Sequence, residues 1–444
     1  MGRFRNILAR LRGQLWIIPL AISGFSLVLA YWILTSGAFL FERGTTGSGL
    51  WWLYGGDAQS ARGLLSSLLS GLMTMTSLIV SMTFVILTLS ANQLGPRLIT
   101  TFMADRQIQT VLGLFLGTIL YVLVILRSLD ETLGAEGVPH IAVTIGSALT
   151  IVCLFALLFY VHKIARSIIA DNVVERIAGD LRRNLGSMLK ESDGDLEEND
   201  GDASEGGPEG ACVATIALNH VGYIQVVDYD RLVAVAKTAK TALQVNVRAG
   251  HFLLHNGEHV LVFGNNTLND DEIDEVRRAF VIGPERSPAQ DLEYGLRQLV
   301  EIALRALSPG INDPYTAIAV VNQLGAALED ILGRPLPRTR LRDAAGEVRV
   351  IAKLSDFAGL VDAAFDAIRQ AGSSTPAVLI RIADVLGDLS PILRTEAAQH
   401  AVVVQLDKLA ETAERAPVAR CDRADIVARI CQARKRVASE NIQG

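Results

Sequence analysis

Six hydroxyl side chains lie where an apolar helix would place them in one row. Ser67, Ser70, Thr74, Ser77, Ser81 and Thr88 recur at steps of three, four, three, four and seven, inside a run from Gly63 to Pro96 without a charged residue. Those steps follow one stripe of a helix, and such a stripe suits protein or water better than lipid. Two uses follow. Small residues let helix backbones approach, and hydroxyls bond across the gap. Alternatively, several copies of the helix could wall a polar path, their hydroxyls replacing part of the hydration of a passing small ion or solute. Ser67, Ser70, Thr74, Ser77 and Ser81 are therefore the candidate polar path.

A second specified stretch is "RALSPGINDPYTA", residues 305–317. Ser308-Pro309-Gly310 stops one helix, because Pro cannot continue it and Gly tolerates a left-handed conformation. Asn312 or Asp313 caps the next helix, and Pro314 occupies its first turn. Every residue here has a structural use as a corner between helices. The surplus is polar capacity: the side chains of Asn312 and Asp313, with nearby Arg297, offer more than one cap consumes. These three are candidates for binding or coupling.

His251, His255 and His259 are four apart, but "FLLHNGEHVLVFG" reads as a hairpin turned at Asn256-Gly257, a dipeptide favoured in two-residue turns. That pairing sends His255 and His259 to opposite faces, so no metal site is expected. The chain has no P-loop, no H-E-x-x-H, no G-x-S-x-G and no G-x-G-x-x-G after a strand. Neither catalysis nor a cofactor is expected. Basic residues are scattered among acids without an aromatic stripe, so nucleic acid is not an expected partner.

The elements that must carry these residues begin with four long apolar segments, spans at about 13–41, 64–92, 107–127 and 141–161, each supplying the roughly 20 residues a bilayer needs. The first follows a basic start, "MGRFRNILARLR", and its length favours a retained anchor over a cleaved signal. The second is longer than a bilayer requires, so one end should protrude or break, at Gly71 or Gly95-Pro96. The third contains Gly113 and Gly117 at G-x-x-x-G spacing, which fits a helix contact. Twelve Lys and Arg flank one side of these spans and three the other, which places both termini in the cytoplasm. No acid, Lys or Arg sits at the middle of a span, unlike most ion-coupled pumps.

The expected class is mainly α: a four-helix transmembrane region (1–165), a membrane-exit helix (166–190), an acidic flexible linker (191–210), a cytoplasmic small α/β domain with a hairpin (211–285) and a C-terminal helical bundle (286–444). The linker carries nine acids and no base, more than the whole net charge of -6, and cannot bury enough apolar surface to fold. Glu293, Arg297, Glu301 and Arg305 alternate in sign four apart, which reads as a salt-bridged surface. "RPLPRTRLRD" (334–343) reads as a basic loop and "EVRVIAKLSDFAGLVDAAFDAIRQAG" as a helix. The four cysteines form no C-x-x-C pair and read as reduced thiols.

Three stretches resemble a bacterial family of predicted membrane proteins known as domain of unknown function 2254. They are "SANQLGPRLITTFMADRQIQTVLGLFLGTILYVLVILRSL" at 90–129, "GYIQVVDYDRLVAVAK" through "VRAGHFLLHNGEHVLVFG" at 222–264, and "QDLEYGLRQLVEIALRALSPGINDPYTA" at 290–317. Against the family pattern, Glu301 stands where Asp is common and Tyr294 where Phe is common. The resemblance implies a multi-span inner-membrane protein with a cytoplasmic domain, and no activity, substrate or catalytic residue. It also picks out Gln93, Pro96, Arg97, Phe102, Asp105 and Arg106 in a short loop between spans two and three. Of these, Gln93, Arg97 and Asp105 join Arg297, Asn312 and Asp313 as candidates for coupling the membrane part to the cytoplasmic part. The readings carried forward are a homo-oligomeric channel or permease with a cytoplasmic gating or sensing domain, and a membrane-anchored scaffold or sensor.

Overall fold

A computed structural model describes residues 16–35, 54–94, 105–129, 138–167, 170–190, 210–334 and 336–439. The chain divides into two compact units, 1–172 and 173–444. The acidic run expected as a linker lies almost wholly outside the described residues, as do the basic N-terminus and residues 95–104.

The first unit is built on α1 (Ile17–Thr35), α2 (Ala58–Leu94), α3 (Arg106–Ser128) and α4 (His140–Ser167), all four containing stretches long and apolar enough to cross a membrane. Helix α3 is the central one, touching each of the other three. It is also the most buried. The G-x-x-x-G pair is where α1 comes close. A Cβ on Gly113 would stand 2.9 Å from the Pro19 Cα, and one on Gly117 2.5 Å from the Ser26 hydroxyl. Tyr121 of α3 donates to the Ala142 carbonyl of α4 at 3.0 Å, and Cys153 to the Thr118 hydroxyl at 3.3 Å. Helix α2 runs unbroken through Gly71 as far as Leu94, so the interruption expected at Gly71 is absent, and the one expected at Gly95-Pro96 lies outside the described residues. Its packing seam has a seven-residue period: Ala58, Leu65, Leu72, Ile79 and Ile86 are buried, as in helices that pack at shallow angles.

In the second unit α5 (Ala170–Lys190) buries Val173, Val174, Ile177, Ala178, Leu181 and Leu185. There follow β1 (Cys212–Ile216), β2 (Gly222–Val227), α6 (Tyr229–Ala239), β3 (Ala242–Val245), β4 (Phe252–Leu253), β5 (Val260–Phe263), α7 (Asp270–Arg278) and β6 (Phe280–Gly283). Next come α8 (Leu292–Ala306), α9 (Pro314–Leu332), β7 (Arg340–Arg342), β8 (Val348–Ala352), α10 (Phe357–Ala371), α11 (Pro376–Asp388), α12 (Glu396–Arg415) and α13 (Arg420–Ser439). One sheet has the order β1-β5-β3-β8-β7, with β3 and β8 parallel; the other is β4-β2-β6, antiparallel throughout.

Three expectations need correction. The hairpin does not form: Phe252–Leu253 pairs with β2 in the smaller sheet, while Val260–Phe263 pairs with β1 and β3 in the larger. Neither Asn256 nor Gly257 adopts the positive φ that a two-residue hairpin turn requires, and the intervening residues cross between sheets instead. The boundary at 285 does not separate sheet from bundle, because β7 and β8 return from the later sequence to complete the larger sheet. Arg340–Arg342 is therefore strand within the stretch read as loop, and Val348–Ala352 is strand within the stretch read as helix. Its β-branched residues suit a half-buried pleat, with Val350 and Ala352 inward.

Helix α5 seats on α8 through one close approach, since a Cβ on Gly295 would lie 2.6 Å from Leu181. Gly295→Val should lower the thermal midpoint, overpacking of a filled site costing about 1–3 kcal/mol. Hydrogen exchange should rise within 173–185 while the sheets stay protected. Unchanged exchange in that segment would show that α5 is held elsewhere.

Candidate functional site

On α2 the hydroxyls take the face opposite the buried seam. Ser67, Ser70, Thr74, Ser77 and Ser81 are all exposed, and Thr74, Ser77 and Ser81 line a shallow open groove with Met73 and Leu78. Inward-turned hydroxyls behave differently: Thr83 bonds with the Tyr160 hydroxyl, which also donates to the Ile79 carbonyl at 3.2 Å. Some of the outward row is satisfied within the helix, since Ser67 donates to the Gly63 carbonyl and Thr74 to that of Ser70, both at 2.9 Å.

Asp105 caps α3, accepting from the Gln107 amide at 2.9 Å, and forms an ion pair with Lys163 near the end of α4 at 2.6 Å. Both side chains are largely shielded. This candidate is thus a clamp between the ends of α3 and α4, a role the sequence reading did not assign it. Gln93 lies in the last turn of α2; its side chain, and Arg97 altogether, fall outside the described residues.

The corner at 305–317 is a helix junction in every particular. Asp313 is the N-cap of α9, taking the Thr316 amide at 3.1 Å and the Thr316 hydroxyl at 2.5 Å. The hydroxyl bond holds its carboxyl below the usual range. Asn312 adopts φ 48° and leaves capping to its neighbour, so the alternative between them is resolved. The corner leaves Ile311 and Tyr315 exposed, Tyr315 by 81 %.

Arg297 leads somewhere the sequence did not. It pairs with Glu293 at 2.8 Å, and Glu293, read as part of a charged surface, is a buried residue that also receives the Arg248 guanidinium. One carboxylate in the first turn of α8 is therefore shared by two arginines, one from its own helix and one from the loop after β3. Beside it Asp291, the N-cap of α8, is buried and pairs with Arg286 at 2.6 Å. Gly250 closes the cluster: at φ 88° its missing Cβ would lie 2.3 Å from the Asp291 carboxylate, a place no side chain could take.

Burial would lift the Glu293 carboxyl, but Arg297 and Arg248 hold it below the ordinary glutamate range. For Asp291 burial prevails over Arg286 and the carboxyl is raised. His251 accepts from the Arg248 Nε at 3.1 Å. Burial, then Arg248 and Lys353, push its imidazole down to about 4, with Glu293 opposing them. Accepting from a guanidinium suits the neutral imidazole. His259 is buried and accepts the Leu218 amide at 3.0 Å through Nδ1, whereas His255 is exposed; the three histidines have separate partners and surroundings. A cavity of about 30 Å³ adjoins Asp291, Tyr294 and Gln298, room for about one water. The cluster is a lock between the sheet region and α8.

Sequence reasoning missed Arg248, Arg286, Asp291 and Glu293. The available signal was Asp291-x-Glu293 at a helix start following Arg248-x-Gly250, acids and bases too close to the apolar β3 and α8 to be fully solvated.

Four helices apolar enough to cross a membrane agree with a family described as predicted membrane proteins. The chain belongs to the predicted membrane proteins of domain of unknown function 2254, whose profile matches residues 12–388. It is 30 % identical over 437 residues to an uncharacterized protein of Mycobacterium tuberculosis and to one of Mycobacterium bovis, covering 96 % of this chain and 81 % of each relative. No solved structure matches. Helices α12 and α13 lie beyond the family profile, and Lys408 of α12 bonds back to Asp362 and Asp366 of α10, within it, at 2.8 and 3.1 Å.

Glu293→Gln should destabilise the unit by about 3 kcal/mol, the low end for breaking a buried pair because the amide still accepts hydrogen bonds. The folded pKa of Glu293 is depressed. Its contribution is therefore complete above the unfolded value of about 4.5 and is lost as pH falls through the folded value. Thermal melts from pH 7 to 3 should show a smaller acid loss in the variant than in the natural protein. Parallel curves would mean the carboxylate is not a stabilising anion.

Proposed function

We propose that this protein is a multi-pass integral protein of the bacterial inner membrane, with both termini cytoplasmic, that assembles as a homo-oligomer and gives a small ion or solute a polar path along α2. Residues 173–444 are its gating or sensing part, and no catalytic step is assigned to it. The observation that carries this reading is the outward hydroxyl row. Ser67, Ser70, Thr74, Ser77 and Ser81 face away from the other helices of their own unit, so neighbouring copies are the natural cover for a polar face in a bilayer. The excess of Lys and Arg beside one end of the spans supports the orientation.

A specific observation favours a second reading, a membrane-anchored scaffold or sensor. Ser67 and Thr74 bond to carbonyls of their own helix, which lets hydroxyls face lipid without an unmet bond.

Ion flux into liposomes decides between them. Wild-type protein should conduct, and a variant with Ser70, Thr74, Ser77 and Ser81 changed to Ala should alter that flux at unchanged oligomer mass. Folded, inserted protein that passes nothing across a range of salts and pH would leave the scaffold reading.

A further inference from the structure

We infer that the outer face of the three-stranded sheet is a contact between copies of this chain, each packing the face against its own counterpart about a two-fold axis. In the β4-β2-β6 sheet, Tyr223 stands opposite Phe252 and Gly222 opposite Leu253, so Val221 and Leu254 extend the same two strands. Alternation divides the residues cleanly: Ile224 and Leu253 point into the core, at 0 and 1 % exposure. Val221, Phe252 and Leu254 point out, at 63, 52 and 67 %. Phe252 and Tyr223 meet edge to face with ring centroids 5.0 Å apart, so the outer face is already ordered as one apolar surface. Scattered exposed apolar residues are ordinary, but a contiguous set on one rigid sheet marks an interaction surface.

The charge pattern selects the occupant. Residues 219–227, 249–257 and 280–283, which hold the strands of this sheet, contain no Asp, Glu, Lys or Arg, in a chain that is 20 % charged. A two-fold contact sets each residue near its own copy, so any charge there would meet a like charge. An uncharged face suits that geometry, whereas an anionic lipid surface would favour flanking Lys or Arg. In the other sheet edge strand β7 carries Arg340 and Arg342, the usual protection of an exposed strand, although its opposite edge β1 is uncharged. Strand β4, at the edge of its own sheet, has no such guard.

A few exposed side chains bury much less than the roughly 800 Å² per partner of a stable free complex. The contact therefore rests on the homo-oligomer reading: copies already held together by their spans meet at high effective concentration, where a small surface is enough. It does not depend on conduction through α2.

The test uses the full chain in nanodiscs, with the exposed Cys212, Cys421 and Cys431 changed to Ser. Mass measurement establishes whether copies associate. Leu254→Cys should then give a disulfide-linked dimer under mild oxidation, and Glu347→Cys, exposed on the loop before β8, should not. Adding Phe252→Asp to the Leu254→Cys protein should reduce the dimer at least tenfold, with the circular dichroism spectrum and oligomer mass unchanged. Oligomers that do not cross-link at 254, or that cross-link equally at 347, overturn this inference alone and leave lipid or another protein as the cover. Monomers by mass overturn it together with the oligomer reading. Cross-linking without flux leaves it standing and removes only the path.

Discussion

The Glu293 carboxylate, shared between Arg248 and Arg297, is the interaction on which the arrangement of residues 173–444 turns. A buried carboxylate is unfavourable unless its lone pairs are met, and two guanidiniums meet them from different directions. One comes from the loop that leaves β3, the other from the next turn of α8. Their geometry is satisfied only when α8 starts beside that loop. The neighbouring Asp291 and Arg286 repeat the condition at the N-cap, two residues earlier, and Gly250 supplies the space for both. Buried ion pairs are poor sources of net stability but demanding about placement. Here the placement fixes where the helical part begins relative to the sheets, and α5 then seats against Gly295 on the same helix.

In the membrane unit the corresponding constraint is steric. Lipid offers no hydrophobic drive between helices, so association follows close packing. Helix α3 supplies Gly113 and Gly117 to α1 and buries Phe115, Tyr121, Val122 and Ile125 among its neighbours. With α2 committed to α3 and α4 through a heptad seam, its remaining face is exposed among the described residues, and that face carries the hydroxyls. The polar row is a by-product of neither the seam nor the central helix.

The sequence was legible where one physical signal dominated. Long uncharged apolar runs marked all four helices to within several residues at each end, and Gly-x-x-x-Gly marked a real contact. Asp313-Pro314 announced its helix start, where Asp313 is the N-cap. Legibility failed where a distant partner decided the outcome. Val348–Ala352 is a strand because β3 lacks a parallel neighbour without it. Asn256-Gly257 looks like a turn in isolation, yet His259 is drawn inward to the Leu218 amide and the chain passes between sheets. Glu293 and Arg297 sit four apart like any exposed pair; only Arg248, 45 residues earlier, makes the acid an interior group.

Hydroxyls without charges set a limit on any transport chemistry here. An outward α2 face walled by serine and threonine offers neutral dipoles, and the spans lack the central acid or base that proton-coupled exchange employs. In the proposed path such a surface would lower the barrier for a hydrated species without binding it tightly, and would discriminate weakly by charge. Control would then have to come from whether the faces are assembled around a path. Assembly is a property of contacts between copies, and the outer face of the small sheet is the surface of the second unit proposed to make one. The membrane helices and the sheet would then act through the same variable, the spacing of neighbouring chains.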